Sequence, residues 1–422
     1  MNLAEGRIIG AGECDALLET LTEKILETLA KPRLTPETVI AACEKLVTGL
    51  DTERYLAEMA ALGIPRELGS QYIGEARKMF SGEALRFRMA LELGENYGLP
   101  VVLEDGKVTR RIMPLGVLLH VAAGNADGLP AFSVLEGLLT GNINILKLPS
   151  SGDGASVGLL LELIRIEPRL AEYIYVFDYS SKDIIHMKRL ADAADAVVVW
   201  GGTEAVAAFR AMLPPNIRLI EWGHKVSFAY VTGGALDRQL RGIAQNIAQT
   251  GQLLCSSCQG IFLDTDDICE LNAFCARFLP ILDEAMAAAP VTDIGLKAQT
   301  ALTLYSAELE TIFSGGRVFR GAECSLTALE NRLLEPAIGF GNAWVKPLPR
   351  KDLLAALRPY KNYLQTAALA CGAHEKAELT DILLKTGIVR VCPGERMSAV
   401  YSGAPHDGEY PLRRYVKIAS AE

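Results

Sequence analysis

The sequence predicts an α/β protein built from two interlocked, doubly wound domains. From residue 114 onward, short apolar runs typical of buried strands alternate with segments of helical periodicity. Such alternation predicts mostly parallel sheets with helices on both faces. The 422 residues exceed what one ordinary core accommodates, which predicts two domains. Because no low-complexity linker separates the halves, we expect the two domains to be interlocked.

The composition excludes several classes of function. Half of the residues are hydrophobic and 22% are charged, which suits a compact enzyme rather than a disordered chain. The net charge is −9 and no basic run offers a footprint for phosphates, so no nucleic-acid partner is expected. The nine cysteines are scattered and no histidines are paired at ligand spacing. This pattern favours free thiols in a reducing cytoplasm over disulfides or a metal site.

The mean hydropathy of +0.20 raises the question of a membrane segment. The most apolar stretch, residues 115–148, is interrupted by polar side chains such as His120 and Asp127. No run reaches the roughly 18 apolar residues that a spanning helix needs. The first residues lack a basic region followed by an apolar core, so no signal peptide is expected. We therefore expect a cytoplasmic protein without a transmembrane segment.

Taken in order, the chain begins with helices and then turns to alternating strands and helices. Apolar residues at helical spacing predict helices over residues 13–98. The Asp105-Gly106 pair predicts a hairpin over 100–113. Strands are then predicted at 115–121, 144–148, 173–177, 196–200, 217–220 and 228–231. A helix over 236–250 leads into a second αβ region, and residues 410–419 have the alternation of a final strand.

The stretch from Gly251 to Gln259 reads Gly-Gln-Leu-Leu-Cys-Ser-Ser-Cys-Gln and is the strongest candidate for chemistry. Three interpretations of Cys255 and Cys258 are open from this pattern. They are ordinary small residues at a helix-to-strand junction, half of a metal site or a redox pair, or a nucleophile with a neighbouring thiol.

Glycine-rich turns follow predicted strands at Gly124, Gly201-Gly202 and Gly223. None has the GxGxxG spacing of a dinucleotide-binding fingerprint, and none is a phosphate-binding loop. Taken singly, each is explained by a tight turn after a strand.

Six blocks taken together resemble the aldehyde dehydrogenase superfamily across nearly the whole chain. They are Pro114-Leu-Gly-Val, Ala123-Gly-Asn, Leu139-Thr-Gly-Asn followed by Leu146-Lys-Leu-Pro-Ser, Trp200-Gly-Gly-Thr-Glu, Glu221-Trp-Gly-His-Lys and Gly251-Gln-Leu-Leu-Cys. The cysteine stretch and the segment Asp407–Arg413 look closest to the LuxC-type acyl-CoA reductases, which supply aldehyde in bacterial bioluminescence. Two features depart from the family patterns. One residue is added between Gln252 and Cys255, and Cys258 stands where the subfamily often has proline.

The resemblance implies a domain organisation. Its parts are an N-terminal helical part of the cofactor domain (1–98), an oligomerisation hairpin (99–113), a Rossmann-like NADP-binding domain (114–235), a catalytic domain with the nucleophilic cysteine (236–395) and a C-terminal return with an oligomerisation strand (396–422). Exposed sheet edges of this kind need a partner, so a homodimer or homotetramer is expected.

The resemblance also implies catalytic roles. Cys255 would be the nucleophile, with Cys258 as the runner-up. The Asn125 side-chain amide and the Cys255 backbone N–H would stabilise the oxyanion, although a simple turn would equally explain Asn125 taken alone. Glu221 would assist thiol deprotonation or the hydride-transfer step.

For the cofactor, the resemblance implies that Lys147 contacts the adenosine ribose. Ser150 stands where NAD-preferring relatives often have Glu, and a serine tolerates a 2′-phosphate, which favours NADPH. Gly201, Gly202 and Thr203 would lie against the pyrophosphate at a helix N-terminus. Helix capping by Thr203 is compatible with that role.

The sequence therefore predicts an NADPH-dependent reductase of acyl-CoA, with a fatty acyl group expected and CoA as the leaving group. Two rivals are open: an NAD(P)-dependent aldehyde dehydrogenase, hydrolytic or CoA-acylating, and a non-catalytic thiol redox or binding protein on the same fold. An acyl-protein ligase is a further candidate partner, as in the bioluminescence system.

Overall fold

The computed structural model describes residues 1–61, 66–103, 106–122, 128–149, 154–291, 293–314 and 316–422. The chain forms two compact units. The first comprises Met1–Gly223 and Tyr401–Glu422, and the second comprises His224–Val400. The first unit ends before the predicted domain boundary at residue 235, because the strand that begins at Val226 pairs within the sheet of the second unit.

The first unit begins with a short hairpin and a group of helices. Strands β1 (Asn2–Ala4) and β2 (Arg7–Ile9) pair across Glu5 and Gly6, which both have positive φ. Sequence patterns missed these strands, because three residues are too few to show alternation. The predicted helices follow as α1 (Ala11–Ala30), α2 (Pro36–Thr48), α3 (Thr52–Ala61), α4 (Arg66–Met79) and α5 (Gly82–Leu93).

The predicted hairpin is formed by β3 (Val101–Leu103) and β4 (Val108–Pro114), which pair antiparallel. Asp105 lies outside the described residues, and Gly106 has a φ of +93°. Only glycine adopts such a conformation without strain.

Strands and helices then alternate as the sequence predicts. The elements are β5 (Val117–Val121), α6 (Leu129–Leu139), β6 (Ile143–Lys147), α7 (Gly154–Ile166), β7 (Ile174–Phe177), α8 (Ile184–Asp192), β8 (Ala196–Trp200), α9 (Thr203–Met212) and β9 (Arg218–Trp222). The sheet has the order β2-β1-β7-β6-β5-β8-β9, and its strands from β5 to β9 are parallel. Strands β5 to β8 are fully buried, because helices cover both faces of a parallel sheet.

The second unit contains another seven-stranded sheet, with the order β12-β13-β14-β11-β10-β15-β16. Its elements are β10 (Val226–Val231), α10 (Asp237–Thr250), β11 (Cys258–Leu263), α11 (Ile268–Ala288), α12 (Ile294–Ser314), β12 (Arg317–Arg320), β13 (Ser325–Ala328), β14 (Asn342–Pro347), α13 (Leu353–Leu357), β15 (Leu364–Ala370), α14 (Lys376–Thr386) and β16 (Arg390–Cys392). Strand β12 is antiparallel to β13, and the other pairs are parallel.

The C-terminal segment differs in part from the predicted strand over 410–419. It forms a short helix, α15 (Pro411–Arg414), and then β17 (Val416–Ala421). Pro411 suits the first turn of a helix, and the Glu92 carboxylate accepts a hydrogen bond from the Leu412 N–H at 2.8 Å. Strand β17 completes a three-stranded sheet of order β17-β4-β3. Within the ranges given above, no helix has both the length and the apolar character needed to cross a membrane.

Candidate active site

The cysteine stretch forms a tight loop between α10 and β11. Helix α10 ends at Thr250, and its C-cap Gly251 has a φ of +55°, the left-handed conformation that commonly terminates a helix. Gln252 also has a positive φ, of +64°. The Ser257 hydroxyl accepts a hydrogen bond from the Leu254 N–H at 3.0 Å inside the loop. The loop therefore has a defined conformation, set by local backbone and side-chain bonds.

The two thiols of this loop have opposite environments. Cys255 is exposed, whereas Cys258 is fully buried as the first residue of β11. The Cys258 thiol donates a hydrogen bond to the Gly260 carbonyl at 3.3 Å, and burial raises its pKa to about 12. A thiol that keeps its proton at neutral pH is a poor nucleophile and a poor redox partner. The loop therefore presents one thiol, Cys255, to solvent.

Gln252 anchors the loop from below. Its side chain is 6% exposed, and its amide nitrogen donates to the Cys258 carbonyl at 3.1 Å. Its amide oxygen accepts from the Gly341 N–H at 3.1 Å. The added residue between Gln252 and Cys255 thus lies in a loop that the Gln252 side chain ties both to the start of β11 and to the turn before β14.

A second turn with positive φ angles, just before β14, packs against the start of the cysteine loop. Gly339, Phe340 and Gly341 all have positive φ, and the Phe340 N–H donates to the Gly251 carbonyl at 3.1 Å. A Cβ on Gly251 would stand 3.3 Å from the Phe340 ring, so glycine allows the two turns to approach. Strain in a non-glycine residue such as Phe340 persists only where surrounding contacts impose it, and such residues cluster at functional sites.

Two polar groups from neighbouring strands hold Cys255 itself. The Ser227 hydroxyl on β10 donates to the Cys255 carbonyl at 2.7 Å. The Gln365 amide on β15 donates to the Cys255 Sγ at 3.3 Å. Neither residue is among those that the sequence motifs single out. The only signal for Gln365 is a polar pair, Gln365-Thr366, at the start of an otherwise apolar strand.

Four of the predicted cofactor residues, Lys147, Gly201, Gly202 and Thr203, lie at the carboxyl edge of the first unit's sheet. Within the strand order β7-β6-β5-β8-β9, strands β6 and β7 are added on one side of β5, and β8 and β9 are added on the other side. The direction of strand addition therefore reverses between β5 and β8. Open parallel sheets bind ligands at this point. Lys147 is the last residue of β6, and Gly201 and Gly202 follow β8 directly. Strands β6 and β8 flank β5, which places these two ends about 10 Å apart at ordinary strand spacing.

The turn after β8 opens a helix without a side-chain cap. Gly202 is the N-cap of α9, and Thr203 is the first helical residue, so the alternative of capping by Thr203 is not observed. A Cβ on Gly202 would meet nothing within 4 Å, which indicates open space above the turn. The backbone N–H groups at this helix start are therefore suited to an anion.

Lys147 is a buried cation, only 3% exposed. Burial lowers its pKa, and the charge of Asp178 raises it in part. Across the part of the chain that the structure describes, its ammonium makes no hydrogen bond or ion pair. A buried charge without a partner costs free energy, so Lys147 fits a polar ligand such as a ribose hydroxyl or a phosphate. Lys147 and the start of α9 together fit a dinucleotide.

The other predicted site residues have different outcomes. Asn125 and Ser150 lie outside the described residues. Glu221 lies on β9, at the edge of its sheet, and forms an ion pair with Arg210 of α9. Its backbone carbonyl accepts a hydrogen bond from the Arg414 guanidinium at 3.3 Å.

The Asp407–Arg413 segment forms a structured turn in the first unit. His406 and Glu409 exchange backbone hydrogen bonds of 2.9 and 2.8 Å around Asp407 and Gly408, which both have positive φ. Positive φ at both central residues is the conformation of a type I′ turn. The turn packs the His406 ring against Trp200 at 4.9 Å and Trp222 at 4.8 Å, at the ends of β8 and β9.

Comparison with solved structures identifies the fold. The chain superposes on glyceraldehyde-3-phosphate dehydrogenase from Methanocaldococcus jannaschii, solved in complex with NADP, with a TM-score of 0.74 and 11% identity. The match covers 100% of this chain and 97% of that one. The chain also matches the bifunctional proline utilization A protein, with a TM-score of 0.74 and 16% identity. This match covers 98% of the present chain and 45% of the longer proline utilization A chain. The fold is that of the aldehyde dehydrogenases, as the sequence predicts.

Within this fold the chain belongs to the acyl-CoA reductase (LuxC) family, whose model matches residues 33–418. It is 26% identical over 353 residues to the long-chain acyl-protein thioester reductase of Photobacterium phosphoreum, covering 81% of this chain and 70% of that protein. The family consists of oxidoreductases that act on the acyl or aldehyde group, and the chain is an enzyme of this class.

Proposed function

We propose that this enzyme reduces an acyl-CoA to the aldehyde with NADPH, through a thioester on Cys255. The observation that carries the proposal is the contrast within the cysteine loop. Cys255 is exposed and its Sγ accepts a hydrogen bond from Gln365, whereas Cys258 is buried with a pKa of about 12. A thiolate nucleophile needs such an accessible, polar environment.

In the first step, the Cys255 thiolate attacks the carbonyl carbon of the acyl thioester. A carbon–sulfur bond forms to Sγ, and the carbonyl oxygen becomes an oxyanion. The Cys255 backbone N–H and the Asn125 amide are proposed as the donors that stabilise it. Collapse of the intermediate breaks the bond to the CoA sulfur, which leaves as a thiolate and takes up a proton. The acyl group then remains on Cys255.

NADPH is proposed to bind at the carboxyl edge of the first unit's sheet. Lys147 would hold the adenosine ribose, and Gly201, Gly202 and Thr203 would receive the pyrophosphate at the uncapped start of α9. Ser150 would accommodate a 2′-phosphate. When bound, the nicotinamide supplies the hydride that converts the Cys255 thioester to the aldehyde, with release of the thiolate.

Glu221 is proposed to assist thiol deprotonation or the reductive step rather than to activate water. Water at the acyl-enzyme would give free acid instead of aldehyde. In the structure the Glu221 carboxylate forms an ion pair with Arg210 of α9.

An acyl-protein is the second candidate donor, because the Photobacterium phosphoreum relative is described as acting on an acyl-protein thioester. Both donors present a thioester carbonyl to Cys255 and differ only in the leaving thiol. On this alternative, an acyl-protein ligase would be the partner that supplies the substrate.

Trapping the acyl-enzyme tests the proposal. The enzyme is incubated with acyl-CoAs of increasing chain length and no nicotinamide, and the adduct is located by peptide mass spectrometry. We expect an acyl mass on the peptide containing Cys255, loss of the adduct in Cys255→Ser and its retention in Cys258→Ser. Addition of NADPH should then release aldehyde.

Three outcomes would contradict the proposal. An adduct on another residue would overturn the nucleophile. Production of acid from free aldehyde and NADP without CoA would favour a hydrolytic aldehyde dehydrogenase. A disulfide between Cys255 and Cys258 under mild oxidation, with no acyl adduct from any donor, would favour the thiol redox protein.

A further inference from the structure

The sheet of the second unit is irregular on both sides of Ser227. Between β10 and β15, Val226 pairs with Leu364 but Phe228 pairs with Ala367, so Ser227 faces two residues, Gln365 and Thr366. Between β10 and β11, the register also shifts after the pairing of Ser227 with Cys258. Bulges are uncommon in parallel sheets, and they re-aim side chains next to active sites.

The Ser227 hydroxyl takes the place of a backbone hydrogen bond that the bulge removes between β10 and β15. It accepts a hydrogen bond from the Thr366 N–H at 3.1 Å and donates one to the Cys255 carbonyl at 2.7 Å. Ser227 is fully buried, so these bonds are shielded from water. One side chain thus links β15 to the backbone of the cysteine loop.

The extra residue of β15 also directs Gln365 at the thiol. The Gln365 side chain is 8% exposed, and its amide nitrogen lies 3.3 Å from the Cys255 Sγ. Its backbone carbonyl accepts from the Val389 N–H at 3.0 Å, which fixes the residue beside β16. The amide N–H therefore already contacts the sulfur before any substrate binds, and a donor in place in advance is the condition for electrostatic stabilisation of a developing charge.

We propose that Gln365 is a catalytic residue that stabilises the Cys255 thiolate, and that Ser227 is a positioning residue that keeps the two in contact. The proposal rests on the proposed role of Cys255 as nucleophile. A hydrogen bond to the charged form of a thiol lowers its pKa. Unlike a carboxylate, the amide has no basicity with which to activate water, so the acyl-enzyme beside it is protected from hydrolysis.

The pH profile of alkylation by iodoacetamide tests the first part, because this reagent reacts with the thiolate. Rates at Cys255 are measured by peptide mass spectrometry over about pH 6 to 10. The exposed Cys269 provides an internal reference in every variant. The buried Cys258 keeps its proton over this range, because its pKa is raised to about 12. The variants are Gln365→Leu, Gln365→Glu and Ser227→Ala.

We expect the Cys255 profile to shift upward by about one pKa unit in Gln365→Leu and further in Gln365→Glu, with Ser227→Ala intermediate. The Cys269 profile should remain unchanged. Unchanged Cys255 profiles in both Gln365 variants would overturn the proposal. If one variant fails to fold, as rapid alkylation of the otherwise buried Cys258 would reveal, the other still decides.

Product partition tests the second part. With acyl-CoA and NADPH, Gln365→Glu should raise the ratio of free acid to aldehyde at least several-fold, because a carboxylate beside the thioester acts as a general base. Gln365→Leu should not raise it. An equal ratio in Gln365→Glu and the unsubstituted enzyme would contradict this part. A shifted alkylation profile without any acyl-enzyme would instead contradict the proposed function and leave the Gln365–Cys255 contact supported.

Discussion

At the scale of single residues, burial separates two cysteines that the sequence presents as equivalent. Cys255 and Cys258 lie three positions apart in one polar stretch, yet one is exposed and the other is fully buried. The difference arises because β11 begins at Cys258, which enters the core beneath the loop. Reactivity of a thiol follows the accessibility of its thiolate, so the start of the strand decides which thiol can react.

A second residue-scale feature is the buried ammonium of Lys147, which has no hydrogen-bond or ion-pair partner among the residues that the structure describes. Lys147→Met should raise the KM for NADPH roughly tenfold or more, because a charge-assisted hydrogen bond to the cofactor is lost. Acyl-enzyme formation without nicotinamide should be unchanged. Steady-state kinetics and thermal unfolding with and without NADPH provide the measurement.

The unfolding temperature of Lys147→Met without cofactor should equal or exceed that of the parent, since the substitution removes a buried charge that pairs with none of the described residues. Lys225→Met is the matched control, because the Lys225 ammonium has a protein acceptor and donates to the Asn362 carbonyl at 2.8 Å. A KM equal to that of the parent in Lys147→Met would remove Lys147 from the cofactor site.

At the scale of elements, a buried hydrogen-bond chain ties α6 to three strands. The Trp200 indole donates to the Ser133 hydroxyl at 2.9 Å, and Ser133 contacts the His120 Nδ1 at 2.7 Å. The His120 Nε2 lies 3.0 Å from the Asn144 Oδ1. The Asn144 amide nitrogen donates to the Asn142 carbonyl, so Oδ1 is the acceptor and Nε2 carries the proton. The native fold therefore needs His120 neutral.

This requirement gives a pH dependence of stability. Burial lowers the pKa of His120 from 6.5 to about 4. Below pH 6.5 the unfolded chain binds a proton that the native state does not accept until about pH 4. The stabilisation is therefore present above pH 6.5 and is lost as the pH falls through this window, by at most about 3 kcal/mol.

Urea unfolding at a series of pH values measures this loss. His120→Gln should flatten the slope between pH 6.5 and about 4, while lowering stability at neutral pH. The exposed His374 provides the matched control, and His374→Gln should retain the slope. An unchanged slope in His120→Gln would show that other groups cause the acid sensitivity.

At the scale of the whole molecule, the three-stranded sheet is the candidate subunit contact. Strand β17 pairs with β4 over six residue pairs, from Val416–Pro114 to Ala421–Thr109. Apolar side chains remain exposed on this sheet, with Val102 at 61% and Ile418 at 68%. Exposed edges and apolar side chains of a small sheet favour pairing with another chain.

We therefore expect a homodimer or homotetramer that depends on this sheet. The double variant Val102→Glu with Ile418→Glu should elute as a monomer in size-exclusion chromatography with light scattering, because like charges would be placed on the contact. Leu302→Glu with Leu309→Glu, on the equally exposed face of α12, is the matched control and should leave the assembly intact. A monomeric parent enzyme, or an assembly unaffected by the double variant, would contradict this expectation.

Sequence patterns predicted most of the elements that shape the candidate site. The apolar runs that became β5 to β8 were placed to within two residues, because strands buried on both faces are apolar throughout. The strand predicted over 410–419 was wrong at its start, where Pro411 begins a helix. The short strands β1 and β2 gave no recognisable pattern.

By itself the sequence determined the fold class, the family resemblance and the cysteine loop, because these depend on local periodicity and on ordered motifs. Only the tertiary structure decided which thiol is exposed, and which residues contact it. Gln365 lies 110 positions from Cys255 along the chain and reaches it through a bulge between neighbouring strands. Such a contact depends on the register of a sheet, which is set by packing across the whole unit. It therefore produces no recognisable residue spacing in the sequence.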